Sequence, residues 1–258
     1  MLTPKEIADK IVDVGIQKSK LTAFKMLLLG ILAGMFIALA GVGSILGNAH
    51  GGKLIGALIF PVGLIMVIIA GSELFTGNNL MVMALFKKKI TLRKLLKNWL
   101  LVYIGNFIGA VIIALLAVYS GALNSASETV ISTAANKIDL SFIEALIRGI
   151  LCNTLVCLAV WMATSAETTI GKIAAIFGPI MLFVLCGFEH SVANMFYGPA
   201  GIIMSARSGI ANEGLNIGLF LLSNLLPVTI GNIIGGAGII GCSYFLIYSK
   251  NKNKPSRV

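Results

Sequence analysis

Within one unbroken apolar region, a glycine, a carboxylate, one of only two histidines and an asparagine fall inside eight residues, Gly187-Phe-Glu-His-Ser-Val-Ala-Asn194. An ionisable side chain at membrane depth costs about 2.5–3.5 kcal/mol on insertion scales, so it ordinarily faces a cavity or a protein partner. For His190 two readings stand: an imidazole hydrogen-bonded for packing, or one that offers a proton or a hydrogen bond to a passing solute. A second stretch, Gly71-Ser-Glu-Leu-Phe-Thr-Gly-Asn-Asn79, carries Gly71, Glu73 and Asn78 where the first carries Gly187, Glu189 and Asn194, at one offset of 116. Because the glutamate recurs, Glu73 and Glu189 read as acceptors that hold the chain open, supported by Asn194, rather than as groups that touch solute. The histidine occurs at one stretch alone; Thr76, Leu74 and Phe75 stand on the other.

Asn153, in Cys152-Asn-Thr154, is a candidate to orient His190 or a polar contact between helices. Lys137 reads either as a solvated charge or as a cation that draws anions to the outer mouth. Arg148 stands inside an apolar helix and has three open readings: it lines the outer vestibule, snorkels, or pairs at a subunit contact.

Other chemistries lack their residues. The second histidine, His50, lies in a loop, and Cys152, Cys157, Cys186 and Cys242 lack metal-type pairing, so no metal is expected. The run Gly231 to Gly241 has no Walker lysine and no strand context. There is no Ser-His-Asp arrangement and no carboxylate pair suited to hydrolysis, so neither an enzyme nor a cofactor is expected.

The elements that must position these groups are membrane spans. Of the 258 residues, 57% are hydrophobic and 12% charged, with a mean hydropathy of +0.96; a span takes about 20 apolar residues, which leaves room for six. A net charge of +10 would otherwise suggest nucleic acid, but the basic residues sit in short inter-span segments. Residues 3–20 read as an amphipathic helix at the bilayer interface, in an N-terminal segment 1–25 that lacks a cleavable-signal pattern. A single channel domain then covers 26–248, with spans near 26–46, 98–119, 142–164 and 215–248, and a tail over 249–258. The second and fifth apolar regions, 55–86 and 173–205, are too long for one span and are broken in the middle by the two polar stretches. Half-helix N-termini aimed at those breaks would favour an anion or a polar acidic solute. Gly121 to Leu140 reads as a polar segment between the halves.

The halves, about 26–120 and 142–248, are repeats. Asn98, Val102, Gly105, Asn106 and Gly109 recur as Asn224, Val228, Gly231, Asn232 and Gly235 at an offset of 126. Three spans per repeat give opposite topologies, hence an all-α membrane fold of two inverted repeats. The glycines spaced by four read as close-packing positions. Sixteen of the twenty lysines and arginines lie on the side that carries both termini, which places the termini in the cytoplasm.

Five blocks, Gly71-Ser-Glu-Leu-Phe-Thr76, Asn98-Trp99 with Gly105-Asn106, Cys152-Asn-x-Leu-Val-Cys-Leu-Ala159, Gly187 to Met195 and Pro227-Val-Thr-Ile-Gly-Asn232, resemble the formate/nitrite transporter family over nearly the whole chain. The resemblance implies an aquaporin-like fold and a homopentamer with a pore in each protomer. It also implies passage of formate, nitrite, hydrosulfide or a related monovalent anion across the bacterial inner membrane. By position, His190 would be the central pore histidine, Thr76 the hydroxyl facing it and Asn153 the histidine's hydrogen-bond partner. Leu74, Phe75 and Leu64 would form a cytoplasmic slit, Phe60 and Phe183 a periplasmic constriction, and Lys137 a vestibule lysine. The Gly71–Gly77 motif is more similar to nitrite-channel members than to formate-channel ones. The function expected is therefore transport of a small weak-acid anion with transient protonation or hydrogen bonding near His190. The alternatives are an aquaporin-like pore for a neutral solute, which would lack the Asn-Pro-Ala breaks, and a non-transporting membrane protein with a structural His190.

Overall fold

The computed structural model describes residues 1–210 and 214–249; beyond Ser249 the expected tail lies outside the described residues. Among the described residues the main helices are α1 Pro4–Ser19, α2 Ala23–Gly51, α3 Lys53–Ala70, α4 Phe75–Phe86, α5 Leu92–Tyr119, α6 Ser127–Ile138, α7 Phe142–Ser165, α8 Thr169–Cys186, α9 Ser191–Ser208 and α10 Ile217–Tyr248. Among the described residues there is no strand, and six helices, α2, α3, α5, α7, α8 and α10, are long and apolar enough to cross a membrane. The two over-long apolar regions are each divided, α3 from α4 and α8 from α9.

The spans pack through small residues. A Cβ on Gly34 would collide with the Asn106 carbonyl, one on Gly105 with Leu27 O, and one on Gly109 with Ile31 O, so α2 and α5 touch backbone to backbone. The same arrangement joins α7 to α10, where Gly149 faces Val228 O, Gly231 faces Leu146 O and Gly235 faces Ile150 O. In lipid no hydrophobic effect drives helices together, and close backbone approach supplies the van der Waals contact instead. Between the halves, the Tyr103 hydroxyl meets Thr229 Oγ1 at 2.8 Å, two residues separated by the repeat offset itself.

Two amphipathic helices stand outside this pattern. Thr3 and Glu6 close a capping box on α1, with Pro4 in its first turn. Its apolar stripe, Ile7, Ile11 and Val12, is buried against Leu80–Ala84, Ile90, Leu95 and Trp161, so the covering surface is protein rather than the bilayer interface expected from the sequence. The Leu2 amide donates to Ser165 O, which ties the start of α1 to the end of α7. The polar segment 121–140 is largely helical: α6 buries Val130, Ile131, Ala134 and Ile138 on one side, and Gly201 of α9 leaves room for Ala134. Four buried positions spaced by one, three and four residues form a stripe that average polarity conceals.

The close backbone contacts carry a testable cost. Gly235→Val should destabilise the detergent-solubilised protein by about 1–3 kcal/mol through overpacking. Gly178→Val, where an added Cβ meets nothing within 4 Å, should leave thermal unfolding close to the parent's.

Candidate functional site

Each break starts at a glycine. Gly71 (φ 77°, ψ 48°) ends α3 and Gly187 (φ 71°, ψ 32°) ends α8 in the left-handed region, which a side chain would strain. The chain then runs extended to Leu74 and His190, which occupy equivalent positions as the caps of α4 and α9. The backbone groups at each break need partners that lipid cannot supply. Asn106 of α5 serves the first: its Oδ1 accepts from Phe75 N (2.9 Å) and its Nδ2 donates to Gly30 O (2.8 Å) and Glu73 O (2.9 Å). Asn232 of α10 serves the second in the same way, accepting from Ser191 N (2.8 Å) and donating to Gly149 O (2.8 Å) and Glu189 O (2.9 Å). The glutamate amides are met by the neighbouring spans: Glu73 N donates to Leu29 O and Glu189 N to Arg148 O, both at 3.2 Å. The Arg148 side chain is half-buried and lies within electrostatic reach of Glu144, one turn earlier on α7.

The glutamate side chains sit in a second matched set. Lys18 of α1 donates to Glu73 Oε1 and to Asn78 Oδ1, both at 2.8 Å, and Asn78 Nδ2 donates to Glu73 Oε2 at 2.7 Å. Opposite, Lys137 of α6 donates to both oxygens of Glu189 at 2.8 and 2.9 Å, and Asn194 Nδ2 donates to Glu189 Oε2 at 2.6 Å. Asn98 and Asn224 then accept from Asn78 and Asn194. Because Lys137 takes both carboxylate oxygens, Asn194 Oδ1 has no partner among the described residues, whereas Asn78 Oδ1 has Lys18.

Two cavities flank the breaks. The near one, beside α1, has a volume of about 470 Å³ and is lined by Lys18, Leu64, Glu73, Leu74 and Asn78 among others. The far one, about 150 Å³, is lined by Phe60, Lys137, Phe183, Glu189, His190 and Tyr197 among others. Leu64 and Leu74 line the near cavity, and Phe60 lies edge-on to Phe183 in the lining of the far one, ring centres 5.7 Å apart. Phe183 also stacks on His190 at 5.8 Å. His190 Nε2 lies 2.9 Å from Thr76 Oγ1, both buried, and His190 Nδ1 accepts from Ala193 N at 3.1 Å. An acceptor Nδ1 assigns the ring proton to Nε2, so the neutral imidazole donates to Thr76 and leaves the threonine hydrogen for another acceptor.

Two expected positions differ. Asn153 makes no bond to the imidazole; its Nδ2 donates to Thr76 O (3.3 Å), Asn79 Oδ1 (3.3 Å) and Asn232 O (2.7 Å), and so fixes the main chain that carries Thr76. Gly236 permits this, since a Cβ there would overlap Asn153 Nδ2. Phe75 lines neither cavity and packs edge-on against Trp99 (6.0 Å) and Tyr103 (4.9 Å). Leu74 caps the helix that Phe75 begins, and neighbours in such a turn point apart, so one of the two faces the axis. Lys18, Asn106 and Asn232 were not singled out for the site by sequence. The repeated Gly-Asn pairs carried a signal for the asparagines; Lys18 had none, because α1 lies outside the repeat.

Residues 5–246 match the family profile described as formate/nitrite transporter. A relative described as the uncharacterized transporter YrhG of Bacillus subtilis (strain 168) is 44% identical over 96% of this chain and 94% of its own. The formate channel FocA of Escherichia coli (strain K12) is 38% identical over 98% of this chain and 96% of its own. A solved structure described as a pentameric formate channel with formate bound superposes with a TM-score of 0.78 at 35% identity, covering 88% of this chain and 98% of that one.

The buried pair at the second break gives a stability test. Lys137→Met strands the Glu189 carboxylate and should cost about 3–5 kcal/mol. Adding Glu189→Gln should recover at least half of that loss in a thermal-unfolding double-mutant cycle.

Proposed function

The chain belongs to the formate/nitrite transporter family, and from that membership we propose that it conducts a small monovalent weak-acid anion through a pore in each protomer of a homopentamer. Formate is the first candidate, since FocA is a formate channel and a matching structure is a pentameric channel with formate bound; nitrite and hydrosulfide share its charge and small size. The chain is thus a transporter and not an enzyme. The bacterial inner membrane is its proposed site, with both termini cytoplasmic. The recurrence of the Asn106 and Asn232 backbone contacts and of the lysine–glutamate–asparagine sets between the halves supports reading them as inverted repeats within one channel domain.

One observation carries the mechanism: the Thr76–His190 hydrogen bond joins the two breaks, with Leu64 and Leu74 lining the near cavity and Phe60 and Phe183 lining the far one. An anion crossing Leu64 and Leu74, or Phe60 and Phe183, must shed water where no group replaces it. A neutral acid crosses far more cheaply. Thr76 and His190 form the polar station at which the anion accepts a proton or a hydrogen bond, with Asn153 holding Thr76 in place. The neutral imidazole Nε2–H offers the anion's oxygen a hydrogen bond, and the proton that neutralises the anion comes from bulk water through the cavities, because an imidazole that gave up its one N–H would be left an imidazolate.

Liposome flux with formate, nitrite, hydrosulfide and lactate at two pH values tests this. The parent should pass formate faster at the lower pH. His190→Asn should cut that flux about tenfold or more and flatten its pH dependence, the scale of a lost acid–base group. A variant equal to the parent in rate and pH profile would remove the proton role. Thr76→Ser should keep most of the flux and Thr76→Val should not.

A further inference from the structure

We propose that Lys53, the first residue of α3, is the cation that captures the anion in the far cavity, a role that rests on the channel reading above. Five titratable side chains face that cavity: Lys53, Lys137, Glu189, His190 and Tyr197. Lys137 gives two hydrogen bonds to Glu189 and stands 5.3 Å from the Tyr197 ring centre, so at close range its charge is cancelled by the carboxylate. His190 is held in its neutral tautomer by the Ala193 amide at Nδ1. Tyr197 is an uncharged phenol. What remains is one positive charge, on Lys53.

Lys53 is exposed and makes neither an ion pair nor a side-chain hydrogen bond among the described residues. Its Nζ nonetheless reaches inward, 3.7 Å from where a Cβ on Gly187 would stand, at the start of the stretch that carries Glu189 and His190. The two lysines therefore divide the work. A part-buried ammonium held by both carboxylate oxygens, such as Lys137, fixes the break and would lose Glu189 if it bound an anion. A hydrated, mobile ammonium offers a weak point charge that attracts a monovalent anion and releases it. On the near side Lys10 and Lys172 line the other cavity while Lys18 is occupied by Glu73, which repeats the division.

The experiment is formate uptake by proteoliposomes over a range of external formate. Lys53→Gln should raise the half-saturating concentration about three- to tenfold with the maximal rate within about twofold of the parent's, and Lys53→Arg should match the parent. Raising ionic strength from about 20 to about 200 mM should weaken half-saturation in the parent and barely affect Lys53→Gln. A charge-restoring arm guards against a folding defect. In a Cys186→Ser background, Lys53→Cys is modified before reconstitution with either an aminoethyl or a sulfonatoethyl thiosulfonate. The cationic adduct should recover parental half-saturation and the anionic one should worsen it. Parental half-saturation and salt dependence in Lys53→Gln, or equal responses to the two adducts, would overturn the proposal while leaving the channel reading intact. A parent that conducts none of the four anions overturns that reading, and this role with it.

Discussion

The constraint on which the structure depends is that two helices stop at membrane depth, where each exposed peptide group would cost several kcal/mol if left unpaired. Asn106 and Asn232 meet it. Each has one acceptor and two donor hydrogens, and each spends all three on the backbone of its break and of the neighbouring span. The close helix contacts follow from this. An asparagine on α5 reaches Gly30 O on α2 because Gly34, Gly105 and Gly109 let those backbones touch, and the same holds for α10 on α7.

A second layer is electrostatic. Buried Glu73 and Glu189 would be intolerable as lone charges; each has an ammonium and an amide, and each ammonium comes from an amphipathic helix that is not part of the repeat. This explains why α1 and α6 lie where they do: one covers the near cavity and the other borders the far one, with Lys18 and Lys137 pinned to the breaks. The apolar stripes on both helices supply the rest of the docking energy.

On this shared frame the proposed mechanism rests on a departure from symmetry. Leu74 and His190 occupy equivalent caps, so one break presents an alkyl wall to the axis and the other an imidazole. The imidazole then meets Thr76, two residues past the cap of the opposite break, and Phe183, itself edge-on to Phe60, stacks on the imidazole. In the proposed mechanism this polar couple is the station at which a weak acid becomes neutral.

Much of this was legible in the chain. Spans and breaks follow from apolar run length, and the glycines at 71 and 187 mark where left-handed backbone is required. The repeat is visible because both halves solve one backbone problem with the same Gly-Asn pairs. The matching of His190 with Thr76 came from resemblance to a family and was not derivable from spacing. What the tertiary structure decided were contacts made across long sequence separations by residues without a local signature. Lys18 reads as one lysine among several on an amphipathic helix until the helix docks and aims it at Glu73. Asn153 and His190 are 37 positions apart in the sequence, yet Asn153 is placed on the Thr76 carbonyl instead. Leu74 and Phe75 are equally apolar neighbours, and only the packing of α5 decides which one faces the axis. Sequence determines which groups must find a partner; the distances that choose the partner exist only once the helices are packed.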